Sequence, residues 1–151
     1  MLRHAEEKDI SRIAEILIFT KRDTYRSIFN NDDVSFNQMQ VLKEIKRLNN
    51  PDSLNNLYVY DDGIVKAIIT LENKGKWFNI KEFFVDPFFQ HNGIGTKILN
   101  EVFLRNDKFL LYVLDKNKRA IDFYKKMGFK YSGEKEEFEN SGFYMLKFTK
   151  V

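Results

Sequence analysis

Val85-Asp86-Pro87-Phe88-Phe89-Gln90-His91-Asn92-Gly93-Ile94-Gly95-Thr96-Lys97-Ile98-Leu99 joins three unlike pieces of chain. An apolar run, Phe83-Phe84-Val85, reads as the end of a strand and stops at Pro87. A short loop follows, closing on Gly93-Ile94-Gly95, and a helical pattern opens behind it. A strand, a glycine loop and a helix N-terminus in succession present several backbone N–H groups to one point, with the positive end of the helix dipole behind them. Such a junction is suited to holding a phosphate. Gly93 and Gly95 lack Cβ and let a ligand approach the backbone. The amides from His91 through Asn92, Ile94 and Thr96 are donors, and Thr96 adds a hydroxyl.

Outward from this junction the chain alternates apolar and helical patterns. Met1 to His4 reads as a short strand, and Asp9 as the N-cap of a helix carrying Ile10, Ile13, Ala14 and Leu17 and continuing to Tyr25, Ile28 and Phe29. Phe36, Met39, Leu42, Ile45 and Leu48 suggest a second helix ending before Pro51. Leu57–Tyr60, Ile64–Leu71 and Trp77–Val85 read as a three-strand meander with turns at Asp61-Asp62-Gly63 and Asn73-Lys74-Gly75. Ile94–Leu104 is helical, Phe109–Leu114 a buried strand, and Asn117–Met127 a helix closed by Gly128. Phe129–Phe138 and Phe143–Phe148 form a last hairpin. The order β-α-α-β-β-β-α-β-α-β-β predicts an α/β (α+β) fold, a mixed sheet of about seven strands with helices on both faces. Residues 80–114 form a right-handed crossover between parallel strands.

Composition narrows the chemistry. The 151 residues suffice for one domain, 1–151, with a real core, and fifteen phenylalanines supply it. The formal charge is +3 with no arginine-rich stripe, so no nucleic-acid partner is expected. There are no cysteines, which removes disulfides, thiolate metal sites and a cysteine nucleophile; with only two histidines, His4 and His91, no metal is expected. The longest apolar run, Phe109–Leu114, is far too short to cross a bilayer, so no membrane partner and a cytoplasmic location are expected.

Two phosphate motifs are excluded by spacing. A dinucleotide fingerprint needs a third glycine where Ile98 stands. A P-loop needs Gly-Lys-Ser/Thr four residues after its first glycine, and Thr96-Lys97 follow Gly95 in the wrong order.

The run Val85, Pro87, Gln90, Gly93, Gly95 resembles the acetyl-coenzyme A loop of the GNAT superfamily of N-acetyltransferases, in which an apolar strand leads into Gln/Arg-x-x-Gly-x-Gly/Ala. A second block, Asn117, Ala120, Phe123, Tyr124, Gly128 and Phe129, is similar to that family's Asn-x-x-Ala-x-x-Phe-Tyr-x-x-x-Gly-Phe. The likeness covers residues 80–130 in motif and the remainder in element order. It implies acetyl transfer from acetyl-coenzyme A, as co-substrate, to a primary amine of a small molecule or peptide by direct attack in a ternary complex. The main chain of Phe83, Phe84 and Val85 would pair with the pantetheine arm, the loop from Gln90 to Thr96 would hold the pyrophosphate, and Asn117 would lie near the arm or on the adenine side. The family also implies a role for Tyr124 as the general acid that protonates the departing thiolate. A phenol, with a pKa near about 10, carries its proton at neutral pH. Glu82 is the nearest carboxylate for deprotonating the amine, although strand alternation leaves its face open.

Each residue also has a structural reading. Asn117 is a good N-cap, Gly128 and Phe129 a helix stop, and Phe123 a packing residue. The acceptor would lie against the first two helices and the last hairpin, with Tyr25, Phe29 and Tyr144 as its lining. Glu134, Glu136, Glu137 and Glu139 are either an amine-attracting cluster or a solvated edge. Homodimers are common in the family. The alternative function is a non-catalytic acyl-coenzyme A sensor on the same fold.

Overall fold

The computed structural model describes all 151 residues. Its strands form a seven-stranded sheet in the order β1-β2-β3-β4-β5-β7-β6. The strands are β1 Leu2–His4, β2 Leu57–Asp61, β3 Val65–Lys74, β4 Trp77–Val85, β5 Phe109–Leu114, β6 Lys130–Glu137 and β7 Tyr144–Lys150; the helices are α1 Ile10–Phe29, α2 Val41–Leu48, α3 Ile94–Phe103 and α4 Lys118–Lys126. The observed order is the mixed α/β arrangement expected from the sequence, and the chain divides into two compact units.

The first unit holds Met1–Leu71 and Glu82–Ile98. Its core is the apolar stripe of α1 (Ile10, Ile13, Ala14, Ile16, Leu17) against Leu48 of α2, Leu57 and Val59 of β2 and Ile68 of β3. Phe84 of β4 and Val41 and Ile45 of α2 pack on its margin. Each fully buried aliphatic side chain contributes on the order of 1.5–3 kcal/mol. β1 and β2 pair antiparallel, as do β2 and β3. Asp9 heads α1 as expected but does not cap it through its side chain. Its carboxylate instead accepts the Glu6 N–H at 2.9 Å and both Nη atoms of Arg3 at 2.8 and 3.0 Å. This ties the first strand to the helix entry.

The second helix begins at Val41, later than the spacing of Phe36 and Met39 suggests. Asp33–Gln38 wind instead into a π-helical turn, after which Met39 and Gln40 are extended. Arg22 of α1 explains the change. Its Nε donates to Ser35 O and its Nη2 to Met39 O, and its guanidinium lies 5.2 Å from the centre of the Phe36 ring. Those carbonyls are thus satisfied by a side chain rather than by a continuing helix.

The second unit holds Glu72–Lys81 and Leu99–Val151. β5 pairs in parallel with the start of β4, Phe78 opposite Phe109, and antiparallel with β7. Phe109, Phe129 and Phe148 are fully buried, with Phe103 5.2 Å from Phe109 and 6.0 Å from Phe129. β6 is exposed along its whole length and is broken by an irregularity between Tyr131 and Lys135. Lysines, glutamates and a bulge are the features by which edge strands avoid pairing with other chains.

Candidate active site

β4 ends where the sequence places it, and the loop beyond Val85 is braced from several sides within the first unit. Asp86 is buried. Its Oδ1 accepts the Phe88 N–H at 2.8 Å, and its own N–H donates to Lys66 O at 2.8 Å. Its Oδ2 accepts Arg12 Nη2 at 2.6 Å. Arg12 also donates to Val65 O at 3.0 Å and to Glu15 at 3.0 Å, so one guanidinium binds α1 to the ends of β3 and β4. The Gln90 amide donates to Val85 O at 2.9 Å, and Asn92 Nδ2 to Phe89 O at 3.4 Å. Lys66 Nζ lies 4.8 Å from the centre of the Phe89 ring.

The loop then turns through two left-handed residues, His91 at φ 67° and Gly93 at φ 77°. Histidine in that region is strained, and such strain clusters where a backbone is held for a task. Left-handed residues placed among right-handed ones aim successive N–H groups into a common concavity that suits an anion. The first intrahelical bond of α3 runs from Lys97 N to Gly93 O at 3.1 Å. The amides of Ile94, Gly95 and Thr96 therefore belong to the first turn, where no intrahelical acceptor exists. Ile94 is buried and anchors the turn; His91, Asn92, Gly93 and Thr96 are exposed. A Cβ built on Gly93 meets no atom within 4 Å, so the space over that residue is open to a ligand.

The orientation of Glu82, left open by the sequence, is settled by its neighbours. Phe84 lies two residues on, on the same face of β4, and packs against the α1/α2 core. Glu82 accordingly meets Arg47 of α2, whose Nη2 stands 3.5 Å from Glu82 Oε2. The pair is near enough to attract but not aligned as a hydrogen bond, and that buried Oε2 has no hydrogen-bond donor. Arg47 Nε donates to Glu44 at 2.9 Å. Tyr25 of α1 shares the neighbourhood: burial pushes its phenol above the ordinary value, and the Glu82 carboxylate adds to the rise. The Tyr25 ring meets Phe29 edge-on at 5.9 Å. Glu82 and Tyr25, named from the sequence, thus come together. Arg47, Arg12 and Asp86 escape the sequence reading because Arg47 meets Glu82 and Arg12 meets Asp86 only through the fold; Glu44 pairs locally with Arg47 and is drawn in through it.

In the second unit Asn117 caps α4, accepting the Ala120 N–H at 3.3 Å. Gly128, at φ 95°, stops the helix, and the Phe129 N–H returns to Tyr124 O at 2.9 Å. Tyr124 is half-buried, with its ring 5.7 Å from that of Phe129. Tyr144 carries Lys135 at 4.5 Å over its ring. Glu134, Glu136 and Glu137 lie on exposed β6, with Glu134 paired to Lys147 at 2.9 Å.

The comparisons with known proteins bear on the family and the fold. Residues 53–131, just over half of the chain, match the acetyltransferase (GNAT) domain. The chain belongs to that family of acetyltransferases. Among solved structures it is similar to the PaiA N-acetyltransferase of Thermoplasma acidophilum in complex with coenzyme A, with 18% identity and a TM-score of 0.74 over 99% of this chain and 97% of that one. An N-acetyltransferase from Staphylococcus aureus Mu50 gives 17% and 0.74, covering 99% of each chain. Apo YjaB from Escherichia coli gives 20% and 0.73, covering 100% of this chain and 97% of that one. At these identities the likeness is one of fold.

Proposed function

We propose that the protein transfers an acetyl group from acetyl-coenzyme A to a primary amine by direct attack in a ternary complex, with residues 1–151 acting as one catalytic domain. The observation that carries this reading is the loop at 90–96. A left-handed glycine under open space precedes a helix N-terminus, and part-buried hydrogen bonds at Asp86 and Gln90 brace the chain just before them. The residues fit a pyrophosphate: Gly93 would admit it, the amides of Ile94, Gly95 and Thr96 would donate to it, and the helix dipole would favour its charge. Phe83, Phe84 and Val85 would offer main-chain groups to the pantetheine amides, and Asn117 would lie near that arm while capping α4.

Acetyl-coenzyme A supplies an activated acyl group whose leaving group is a thiolate. The chain would do the rest. Glu82, whose side chain keeps 28% of its surface in solvent, accepts a proton from the incoming ammonium. The neutral amine attacks the acyl carbon, the carbon–sulfur bond breaks, the Tyr124 hydroxyl gives its proton to the departing sulfur, and the proton that the nitrogen sheds on becoming an amide restores the phenol. The chain has no cysteine to carry an acyl-enzyme, which agrees with direct transfer. A sensor on the same fold would bind the cofactor without releasing thiol.

The test is a thermal shift with acetyl-coenzyme A followed by thiol release across an amine panel. A saturable rise in melting temperature with amine-dependent thiol release supports the enzyme. A rise without release across the panel favours the sensor, and no rise at millimolar ligand rejects both.

A further inference from the structure

Resting on that reading, we infer that Arg47 is a specificity-determining residue, which receives a carboxylate that the acceptor carries beside its amine. The geometry of one guanidinium carries the inference. Arg47 stands in the last turn of α2, and its Nε donates to Glu44 at 2.9 Å. Glu44 is largely withdrawn from solvent, so this bond fixes the plane of the guanidinium. The edge formed by Nη1 and Nη2 makes no hydrogen bond, and the Arg47 side chain is 46% exposed. A guanidinium edge of this kind binds a carboxylate through two parallel N–H···O bonds. Nη2 stands 3.5 Å from Glu82 Oε2, so the free edge lies beside the residue that takes the proton of the amine.

The two charges fit an α-amino acid. Its carboxylate and its ammonium hang from one carbon, a span that matches the short step from Arg47 to Glu82. Bound there, the zwitterion completes an alternating row of Glu44, Arg47, substrate carboxylate, substrate ammonium and Glu82, in which every charge meets an opposite one. The ammonium would meet the part of Glu82 that remains in solvent rather than the buried Oε2. An amine without the carboxylate leaves the Nη1–Nη2 edge in water and gains nothing from it. An amino acid amide offers that edge a neutral oxygen and gains less than a carboxylate does. Tyr25, close enough to Glu82 to feel its charge, meets Phe29 edge-on at 5.9 Å, and the two rings supply apolar surface for the side chain of the amino acid.

Matched triplets test the assignment: leucine, leucinamide and isoamylamine, and phenylalanine, phenylalaninamide and phenethylamine. With the intact protein and acetyl-coenzyme A, the amino acid should exceed both of its partners in kcat/KM by about tenfold or more. Arg47→Met removes the fork and should raise KM for the amino acid about tenfold more than KM for the amine, with kcat for the two changed alike. Arg47→Lys keeps the charge without the fork and should restore only part of the preference. A residue that merely steadied Glu82 would shift kcat for all three compounds together, so a loss in Arg47→Met that is equal across a triplet overturns the inference. Acetylation of the amines in preference to the amino acids also overturns it, and both results leave the enzyme reading standing. Cofactor binding with no thiol release from any of the six compounds overturns it as well, and the wider amine panel then decides the enzyme reading.

Discussion

Replacing Arg12 by methionine should separate the brace of the cofactor loop from the rest of the fold. Methionine retains much of the packing volume but removes every donor. Asp86, only 4% exposed, then loses the 2.6 Å bond that compensates its burial and keeps the Phe88 N–H. Breaking a buried ion pair from one side costs about 3–5 kcal/mol. The Arg12 side chain is 27% exposed and water can partly replace it, so the lower value of about 3 kcal/mol applies. For a domain of this length that lowers the melting temperature by roughly 6–12 °C. The diagnostic species is the double variant. Asp86→Asn keeps an acceptor for Phe88 but carries no charge, so Arg12→Met/Asp86→Asn should melt above Arg12→Met alone, with a coupling of about 1–3 kcal/mol. Calorimetry on the four proteins reads this, and titration with acetyl-coenzyme A reads the loop: affinity should fall in Arg12→Met and recover in the double variant. Additive destabilisation within about 0.5 kcal/mol would refute the argument that Arg12 compensates a buried charge.

Further expectations concern the chemistry and the core. Tyr124→Phe should lower turnover by roughly 10²–10⁴ with coenzyme A affinity retained; unchanged turnover, read by thiol release, removes the tyrosine from the mechanism. Gly93→Ala places a Cβ in the open space above a left-handed residue, so it should cost about 1–2 kcal/mol of stability and weaken acetyl-coenzyme A binding by a larger factor in calorimetric titration. Arg3 holds the Asp9 carboxyl below its ordinary pKa of 3.8. A lowered folded-state value means that the unfolded chain binds more protons through this range. The contribution is therefore complete above about pH 4 and disappears as the pH falls through the folded-state value. The wild-type melting temperature should fall more steeply between pH 5 and pH 2 than that of Asp9→Asn.

Where a segment is governed by its own residues, the sequence was a sufficient guide. Trp77–Val85 and Phe109–Leu114 are bounded by turn residues and appear as strands with those limits. Asn117 and Gly128 punctuate α4 as N-cap and stop. Where distant side chains intervene, local pattern loses. The helical spacing from Phe36 is overridden because Arg22 takes the carbonyls of Ser35 and Met39. Asp9 turns from its own helix to Arg3. The direction of Glu82 depends on Phe84 and Arg47, one local and one 35 positions away, and only the fold brings both to bear. The brace between Arg12 and Asp86 spans 74 positions; an aspartate in an otherwise apolar strand end is its only trace in the sequence.

The most direct test of a cofactor seat on the Gln90–Thr96 loop is to follow the backbone amide resonances of the intact protein as coenzyme A is added. Saturable shifts concentrated at His91 through Thr96, with the amides of Phe83 to Val85 moving in parallel, are the expected result. Saturable binding that leaves these amides in place, or no binding at millimolar ligand, would contradict the assignment.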